Sequence, residues 1–320
     1  MADGIRFERQ GHAGVVTLDR PAALNAVTGA MVDALAERLD AWEADDAVAH
    51  VVIRAEGKAF SVGGDIRDLY ERRDTPDLDF FRREYRLNHR IHTYPKPYVA
   101  LVHGLVMGGG VGVSLHGSHV VAGEGMAFAM PEVGIGFFPD VGASYLLSRL
   151  PGRLGMDLGL TGRRIAADEC LAVGIATHHA GELDAVLDRL SRLDVAEALA
   201  DLATEADAMP QTAPAFDAPD VPSILRAAED TPLAETLAAK SPTSLLVAHR
   251  QLAHAPTDFA AVMRREYRIV ARILHGHDFY EGIRAQVIDK DRQPRWRPDR
   301  IEAVGDVDEY FAPLDRELDL

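Results

Sequence analysis

Two carboxylates stand out in the sequence because they interrupt a stretch that otherwise lacks charge. Glu132 follows Pro131, and Asp140 follows Pro139, in the segment PEVGIGFFPD. Burial raises the pKa of an acid that is neither paired nor exposed, so both residues are candidate catalytic groups. Each also has a structural alternative. Asp140 precedes a predicted helix and could be its N-cap, and Glu132 could accept a hydrogen bond from a neighbouring backbone amide.

Two glycine-rich turns follow predicted strands and precede predicted helices. They are residues 61–65 (SVGGD) and residues 108–110 (GGG). Backbone N–H groups at a helix start have no partner within the helix and carry partial positive charge, so two such turns meeting at one point could form an oxyanion hole. The alternative is tight packing, in which glycine only permits two backbones to approach closely.

The remaining residue types argue against other common catalytic classes. The single cysteine, Cys170, excludes an intramolecular disulfide and a zinc site built from cysteines. The histidines, among them 178–179 and 275–277 (HGH), lack the spacing of zinc ligands, so we expect no metal. Ser61 and Ser144 lack the G-x-S-x-G motif of serine hydrolases. The chemistry is therefore expected to depend on carboxylates.

Strands and helices alternate along the chain up to about residue 183. Residues 5–8 alternate between apolar and polar types, and the apolar residues Val15, Val16 and Leu18 follow after a glycine-containing turn, which predicts a hairpin. Residues 29–43 have the apolar spacing of an amphipathic helix. Short apolar runs at 48–54 and 98–102 predict buried strands. Strands this short and apolar favour an α/β architecture in which helices connect parallel strands.

The composition changes after about residue 183, where the sequence becomes acidic and rich in Ala and Leu, and several prolines follow between residues 210 and 222. We predict three parts: a core over residues 1–200, an acidic and proline-rich connecting segment over residues 201–233, and a helical region over residues 234–320. Within the connecting segment, residues 209–222 (MPQTAPAFDAPDVP) are predicted to be a loop or linker.

Charge and hydropathy argue against several kinds of partner. The net charge is -16, and a nucleic-acid partner would require a basic surface. No apolar run approaches the roughly 20 residues that span a bilayer. We therefore predict no nucleic-acid partner and no membrane partner. The lone cysteine, with an amino terminus that we interpret as lacking a signal or transit peptide, predicts a cytoplasmic location.

Around the candidate residues the sequence resembles the crotonase (enoyl-CoA hydratase/isomerase) superfamily. The matching segments are residues 18–35 (LDRPAALNAVTGAMVDAL), 57–71 (GKAFSVGGDIRDLYE), 97–112 (PYVALVHGLVMGGGVG), 128–150 (FAMPEVGIGFFPDVGASYLLSRL) and 160–176 (LTGRRIAADECLAVGIA). The resemblance implies a spiral of ββα units with two roughly perpendicular sheets and a C-terminal helical region. It implies an acyl-CoA substrate, no separate cofactor because coenzyme A is part of the substrate, and a homo-oligomer, either a trimer or a hexamer.

Position 112 distinguishes subfamilies within this superfamily. Hydratases that resemble this chain have a glutamate there and a second one at the position of Glu132, and they use both to add water across a double bond. Here position 112 is glycine, which cannot hold a proton. The segments GGGVG, AMPE and FPDVG instead resemble the 3-hydroxyisobutyryl-CoA hydrolases, as do 80–88 (FFRREYRLN), 240–252 (KSPTSLLVAHRQL), 265–268 (REYR) and 276–296 (GHDFYEGIRAQVIDKDRQPRW).

This resemblance implies a role for each of five residues. The backbone amides of Gly64 and Gly109 would form the oxyanion hole. Glu132 would attack the thioester carbonyl to give an acyl-enzyme anhydride, or would activate water as a general base, and both routes stay open. Asp140 would contact the 3-hydroxyl of the substrate or help to transfer a proton, and Glu84 would lie nearby on the substrate side.

The predicted reaction is the hydrolysis of 3-hydroxyisobutyryl-CoA to 3-hydroxyisobutyrate and CoA, a step of valine degradation. The sequence does not separate this substrate from 3-hydroxypropionyl-CoA, which lacks one methyl group. One rival is an enoyl-CoA hydratase or isomerase that uses Glu132 alone. Another is a non-catalytic protein that binds acyl-CoA or RNA, against which the acidic net charge and the presence of Glu132 both argue.

Overall fold

In the computed structural model, which describes residues 2–320, the internal contacts divide the chain into two units. The first unit contains residues 2–64, 83–129 and 164–210. The second unit contains residues 65–82, 130–163 and 211–320. Each unit is therefore assembled from three separate stretches of the chain.

The first unit contains two β-sheets. Among the described residues, the strands are β1 (Ile5–Gln10), β2 (Ala13–Leu18), β3 (His50–Ala55), β4 (Ala59–Ser61), β5 (Tyr98–Val102), β6 (Leu105–Met107), β7 (His119–Ala122), β8 (Ala127–Ala129), β9 (Ile165–Ala166) and β10 (His178–His179). The larger sheet has the order β1-β2-β3-β5-β7-β10, and the smaller has the order β4-β6-β8-β9. The predicted α/β fold class is confirmed.

The larger sheet begins with the predicted hairpin, in which β1 and β2 are antiparallel. From β2 onward the strands are parallel. Every residue of β2 and of β5 is buried. Parallel strands that are covered on both faces form continuous apolar runs, which explains why the sequence shows such runs instead of alternation.

Fourteen helices are described for residues 2–320. They are α1 (Gly29–Glu43), α2 (Ile66–Glu71), α3 (Asp79–His92), α4 (Gly109–Gly112), α5 (Ala143–Leu147), α6 (Leu154–Thr161), α7 (Ala167–Ala172), α8 (Leu183–Leu190), α9 (Val195–Leu199), α10 (Val221–Ala228), α11 (Pro232–Ala238), α12 (Pro242–Ala253), α13 (Phe259–Ile273) and α14 (Asp278–Ile283). Short 3-10 helices occur as well, of which Glu132–Ile135 concerns the candidate site and is called the Glu132 helix below.

Helix α1 shows how the local sequence sets an element of the first unit. Thr28 is its N-cap, and the hydroxyl of Thr28 accepts a hydrogen bond from the backbone nitrogen of Met31 at 3.3 Å. The buried residues recur at helical spacing and include Leu35, Leu39 and Trp42. A Cβ atom on Gly14 of β2 would lie 2.8 Å from the ring of Trp42, so glycine is required for this close approach.

The second unit is helical. Its apolar cluster joins the helices of the carboxyl-terminal half to two residues from earlier in the chain, and its members include Val133, Leu160, Phe216, Val221, Ile224, Leu237 and Leu245. Within the predicted connecting segment, α10 and the 3-10 helix Pro214–Asp217 are ordered elements with buried residues. The division of the chain into a core over 1–200, a connecting segment over 201–233 and a helical region over 234–320 stays a prediction.

Candidate active site

Two backbone turns of the first unit lie side by side at the ends of neighbouring strands. β4 and β6 are parallel partners, with Ser61 opposite Val106, so the turns that follow them leave the sheet at the same edge. A Cβ atom on Gly109 would lie 3.1 Å from the backbone nitrogen of Gly64. The structure therefore brings the two predicted turns together, while their role as an oxyanion hole stays a prediction.

Tight packing, the alternative raised from the sequence, applies to the next glycine of the same turn. A Cβ atom on Gly110 would lie 2.7 Å from Cβ of Ser61 and 2.8 Å from its carbonyl oxygen. Gly110 therefore permits the close approach of α4 to β4, whereas Gly109, one residue earlier, lies beside the backbone nitrogen of Gly64.

Glu84 lies at the same place in the first unit. Glu84 is only 2% exposed. Its Oε1 atom lies 2.8 Å from the point where a Cβ of Gly109 would be. The three predicted residues Gly64, Gly109 and Glu84 therefore surround one small volume that a side chain at position 109 would fill.

Gly112, the position at which the related hydratases have a glutamate, is the last residue of α4 and is buried. The next residue, Val113, donates its backbone N–H to the carbonyl oxygen of Gly109 at 3.1 Å. This turn of the first unit therefore has no ionisable side chain at the hydratase position.

Glu132 is the first residue of the Glu132 helix in the second unit, and it is only 6% exposed. Its Oε2 atom is buried and has no hydrogen-bond partner among residues 2–320. Burial raises the pKa of Glu132 well above its ordinary value, and the negative charges of Asp140 and Glu266 raise it further. A buried carboxyl with a raised pKa and one oxygen left for a reactant has the properties of a general base or nucleophile.

The Glu132 helix is held by close backbone contacts with other parts of the second unit. The backbone nitrogen of Ser241 donates to the carbonyl oxygen of Val133 at 3.2 Å. A Cβ atom on Gly282 of α14 would lie 2.2 Å from the carbonyl oxygen of Ile135. Gly136, which ends the helix with φ +70°, would place a Cβ 2.2 Å from the carbonyl oxygen of Asp278. These contacts leave the backbone beneath Glu132 little freedom to move.

Asp140 belongs to a tight segment of the second unit, residues 139–144, called the Asp140 loop below. Asp140 is 5% exposed. Val141 and Gly142 follow it with φ values of +51° and +84°. Gly142 is the N-cap of α5, and no side chain forms a capping hydrogen bond there, so the interpretation of Asp140 as an N-cap is wrong. The structure does bring Asp140 close enough to Glu132 for its charge to raise the pKa of Glu132.

Sequence reasoning missed another buried carboxylate near Glu132 and Asp140, Glu266 of α13, which is 0% exposed. Glu266 accepts hydrogen bonds from the backbone nitrogen of Gly142 at 2.7 Å, from Oγ of Ser144 at 2.7 Å and from Nε2 of Gln251 at 3.3 Å. Burial raises the pKa of Glu266 to about 8, although the hydrogen bonds from Ser144 and Gly142 favour the charged form. A signal was available, because a glutamate here interrupts the apolar stripe of α13, four residues after Val262.

Asn88 of α3 was also missed. It is 0% exposed, and neither Oδ1 nor Nδ2 has a hydrogen-bond partner among the described residues. It follows Glu84 by four residues, so the two side chains emerge from the same face of α3. The polar residue on a buried helix face was visible in the sequence, but nothing local marked it as unpaired.

Within residues 2–320 no group of three or more His, Cys, Asp or Glu side chains is placed to hold a metal ion. None of the helices described there has the length and apolar character needed to cross a bilayer. The expectations of no cofactor and no nucleic-acid partner stay predictions.

Comparison with known proteins connects this geometry to a family. A family model described as enoyl-CoA hydratase/isomerase matches residues 13–311. A curated relative from Danio rerio, "3-hydroxyisobutyryl-CoA hydrolase, mitochondrial", is 42% identical over 99% of this chain and 91% of its own length.

Two solved structures are also similar over nearly their whole length. One is a carnitinyl-CoA dehydratase from Mycobacterium thermoresistibile, with a TM-score of 0.90 and 38% identity, covering 99% of both chains. The other is an enoyl-CoA hydratase from Rhodobacter sphaeroides 2.4.1, with a TM-score of 0.89 and 39% identity, covering 99% of this chain and 100% of that one.

The cytoplasmic location predicted from the sequence is wrong by this comparison, because the Danio rerio relative is named as a mitochondrial protein. A lone cysteine indicates that a disulfide framework is absent, and the composition of an amino-terminal stretch is only a weak guide to targeting. Neither property identifies the compartment, so the inference from them went too far.

Proposed function

Because the chain belongs to the crotonase (enoyl-CoA hydratase/isomerase) family, we propose that it is a thioester hydrolase that converts 3-hydroxyisobutyryl-CoA and water to 3-hydroxyisobutyrate and CoA. This is a step of valine degradation. The observation that carries the proposal is the combination of Glu132, a buried carboxylate with one unpartnered oxygen, and Gly112, which cannot take part in proton transfer.

The reaction needs a group that stabilises negative charge on the carbonyl oxygen. The amides of Gly64 and Gly109, which adjoin one another in the first unit, serve as these donors. Backbone amides are fixed before the substrate arrives, so they stabilise the developing oxyanion without rearranging. Glu84, beside Gly109, contacts the acyl part of the substrate.

Glu132 supplies the second requirement. As a nucleophile, it adds a carboxylate oxygen to the thioester carbonyl, the C–S bond breaks, CoA leaves as a thiolate, and water then hydrolyses the anhydride. As a general base, it takes a proton from water, which attacks the carbonyl directly. A thiol has a pKa near 8.5, so the thiolate is a good leaving group in both routes. Asp140 contacts the 3-hydroxyl or carries a proton.

The test is the release of free thiol from 3-hydroxyisobutyryl-CoA by the wild-type protein and by Glu132→Gln. We expect release by the wild type and a loss of about 10³-fold or more in kcat for Glu132→Gln, because the variant keeps the shape but cannot act as nucleophile or base. Unchanged release by Glu132→Gln would remove Glu132 from the mechanism. Gly181→Ala is a matched control, since nothing lies within 4 Å of a Cβ there.

The two routes for Glu132 leave different isotopic traces. After a single turnover in ¹⁸O-labelled water, the anhydride route can leave ¹⁸O on the Glu132 carboxyl group, whereas the general-base route places it only in the product. Mass spectrometry of the peptide that contains Glu132 detects such a label, and its presence establishes the anhydride route.

The names of the two solved structures favour a second candidate, a hydratase or isomerase that uses Glu132 as its only carboxylate. Loss of absorbance from crotonyl-CoA would indicate hydration, and conversion of a 3-enoyl to a 2-enoyl thioester would indicate isomerisation. We expect both to be slow relative to thiol release, because position 112 has no second proton carrier.

Substrate choice and assembly complete the proposal. 3-Hydroxypropionyl-CoA lacks one methyl group, which is worth about 1 to 3 kcal/mol in a pocket, so the ratio of the two kcat/KM values decides the preferred substrate. We propose a homo-oligomer, a trimer or a hexamer. Light scattering tests this through a mass of three or six times 34.8 kDa.

A further inference from the structure

Glu266 is not one of the five residues that were given a role above, yet it accepts several hydrogen bonds from the Asp140 loop. Its carboxylate accepts from the backbone nitrogen of Gly142 at 2.7 Å and from that of Ser144 at 3.3 Å. Oγ of Ser144 donates to it as well, at 2.7 Å. The donors thus belong to Gly142 and Ser144, the second and fourth residues after Asp140.

A second residue links the other end of this loop to Glu266. Nε2 of Gln251 donates to the carbonyl oxygen of Pro139 at 3.0 Å and to Oε1 of Glu266 at 3.3 Å. Backbone groups on both sides of Asp140 are therefore tied to one buried carboxylate, directly or through Gln251.

The loop needs such support because of its backbone conformation. Val141 has φ +51°, in the left-handed region that a β-branched side chain rarely adopts. A residue in that region persists only when the surrounding structure determines its conformation. The hydrogen bonds of Glu266 and Gln251 to the residues on either side of Val141 hold its backbone in this conformation.

We propose that Glu266 is a positioning residue, which holds the Asp140 loop in the conformation that the hydrolysis reaction requires and so acts on catalysis through Asp140. The inference rests on the proposed thioesterase function. A carboxylate suits this role because one side chain accepts from several donors at once, and a neutral amide at the same place would turn its NH₂ group toward some of them.

The experiment is a double-mutant cycle with Asp140→Asn, Glu266→Gln and the double variant, measured by thiol release from 3-hydroxyisobutyryl-CoA. We expect Glu266→Gln alone to lower kcat by about 10- to 100-fold with KM changed less than about threefold, since misplacement of a reacting group by about 1 Å costs on the order of 10²-fold. In the Asp140→Asn background the same substitution should change kcat by less than about twofold, because residues that act as a unit are not additive.

Equal factors in both backgrounds would overturn the inference, as would an unchanged kcat in Glu266→Gln. If that variant fails to fold, Ser144→Ala removes one of the donors and should show a smaller loss with the same dependence on Asp140. A wild type without thiol release fails the proposed function before any variant is compared, whereas an active wild type with additive variants fails only this inference.

Asp157→Asn is the matched control for a purely structural effect. Asp157 is a buried carboxylate of the same unit, 3% exposed and paired with Arg163 at 2.7 Å. We expect this variant to lower Tm but to leave kcat per folded enzyme within about twofold, equally in both backgrounds.

A different observation concerns Asn88, whose carboxamide is buried with both polar atoms unpartnered among the described residues. Buried amides are almost always hydrogen-bonded, because an unmade bond leaves the desolvation cost uncompensated. The same face of α3 carries Glu84 one turn earlier, and Oε1 of Glu84 reaches the volume beside Gly109 and the amide of Gly64.

We infer that Asn88 is a specificity residue, which hydrogen-bonds the hydroxyl group of a 3-hydroxyacyl thioester. A site with a buried polar group rejects an analogue that lacks the matching group, because the polar atom is then left unpaired. Like the first inference, this one depends on the proposed function.

The test compares Asn88→Leu, which is nearly isosteric and apolar, with the wild type. We expect kcat/KM for 3-hydroxyisobutyryl-CoA to fall by about 10- to 100-fold, while the inhibition constant of isobutyryl-CoA, which lacks the hydroxyl, changes by less than about threefold. Tm should stay constant or rise, since an unpaired amide is removed. A fall of both affinities by the same factor, or no fall of either, would contradict the inference.

Discussion

At the scale of single residues, Gly109 leaves little free space beside the predicted oxyanion donors. A Cβ atom there would lie 2.8 Å from Oε1 of Glu84 and 3.1 Å from the nitrogen of Gly64. The backbone of Gly109 does not have a positive φ, so alanine is conformationally allowed. A methyl group at this position would therefore fill the volume beside the two amides without changing the fold.

We therefore predict that Gly109→Ala folds but loses about 10²- to 10³-fold in kcat/KM, the effect expected when an oxyanion donor is blocked. Thiol release and a thermal melt on the same sample measure the two quantities. Gly181→Ala, with open space around its Cβ, should match the wild type in both. Full activity of Gly109→Ala would show that the carbonyl oxygen binds elsewhere.

The raised pKa of Glu132 also makes a prediction about stability. The folded protein holds the Glu132 proton above the ordinary pKa of 4.5, whereas the unfolded chain releases it there. Stability is therefore lost as the pH rises from about 4.5 through the raised pKa of the folded state. Glu132→Gln has no such loss, so its advantage over the wild type should increase with pH.

Urea unfolding of both proteins at pH 5 and at pH 8 measures this advantage. We expect Glu132→Gln to be more stable by about 1 to 2 kcal/mol at pH 8 and by less at pH 5, because a neutral amide replaces a carboxyl whose charged form is disfavoured by burial. Glu266, whose pKa rises to about 8, is present in both proteins, and its charge opposes ionisation of Glu132 only in the wild type. A difference that is equal at the two pH values would contradict the assigned pKa shift.

At the scale of elements, the Glu132 helix depends on α14. Gly282 lies against the carbonyl oxygen of Ile135 so closely that a Cβ would be 2.2 Å away. The neighbour is backbone, which cannot rotate out of the way as a side chain can. Alanine at position 282 must therefore push the Glu132 helix and α14 apart.

We predict that Gly282→Ala destabilises the protein by about 1 to 3 kcal/mol, as overpacking does, and also lowers kcat because Glu132 shifts. Equilibrium urea unfolding and thiol release are the measurements. Gly305→Ala is the control, since nothing lies within 4 Å of a Cβ at that position. A stable but inactive Gly282→Ala, or a wholly neutral one, would disprove the contact.

At the scale of the whole molecule, both units are discontinuous in sequence. The second unit takes residues 65–82 and 130–163 from the first half of the chain, and its apolar cluster joins Val133 and Leu160 to Phe216 and Leu245. All strands of the two sheets lie at or before residue 179. A chain that ends at Pro210 would thus keep the residues of both sheets and lose the partners of Val133 and Leu160.

We predict that such a shortened chain exposes apolar surface, binds a hydrophobic dye such as ANS and self-associates, because a large apolar patch left uncovered promotes association. Dye binding, circular dichroism and light scattering measure this. A monomeric chain 1–210 that binds no dye would support the prediction of an independent core over residues 1–200.

The sequence determined the elements and the candidate carboxylates by local patterns. Apolar spacing predicted the hairpin and helix α1, and the charge-free setting of Glu132 and Asp140 predicted that both would be buried. The order of motifs indicated the family, which in turn implied the two glycine amides. The spacing and the charge-free setting depend on neighbours within one or two turns of chain, and the order of motifs can be read along the chain, so a single sequence contains all three.

Only the tertiary structure decided the contacts between distant residues. Glu266 and Gly142 are 124 positions apart, and no local pattern records that one accepts a hydrogen bond from the other. The same holds for the approach of Gly64 to Gly109 and for the unpartnered amide of Asn88. Hydrogen bonding and burial depend on which groups packing brings together, and packing is a property of the folded chain as a whole.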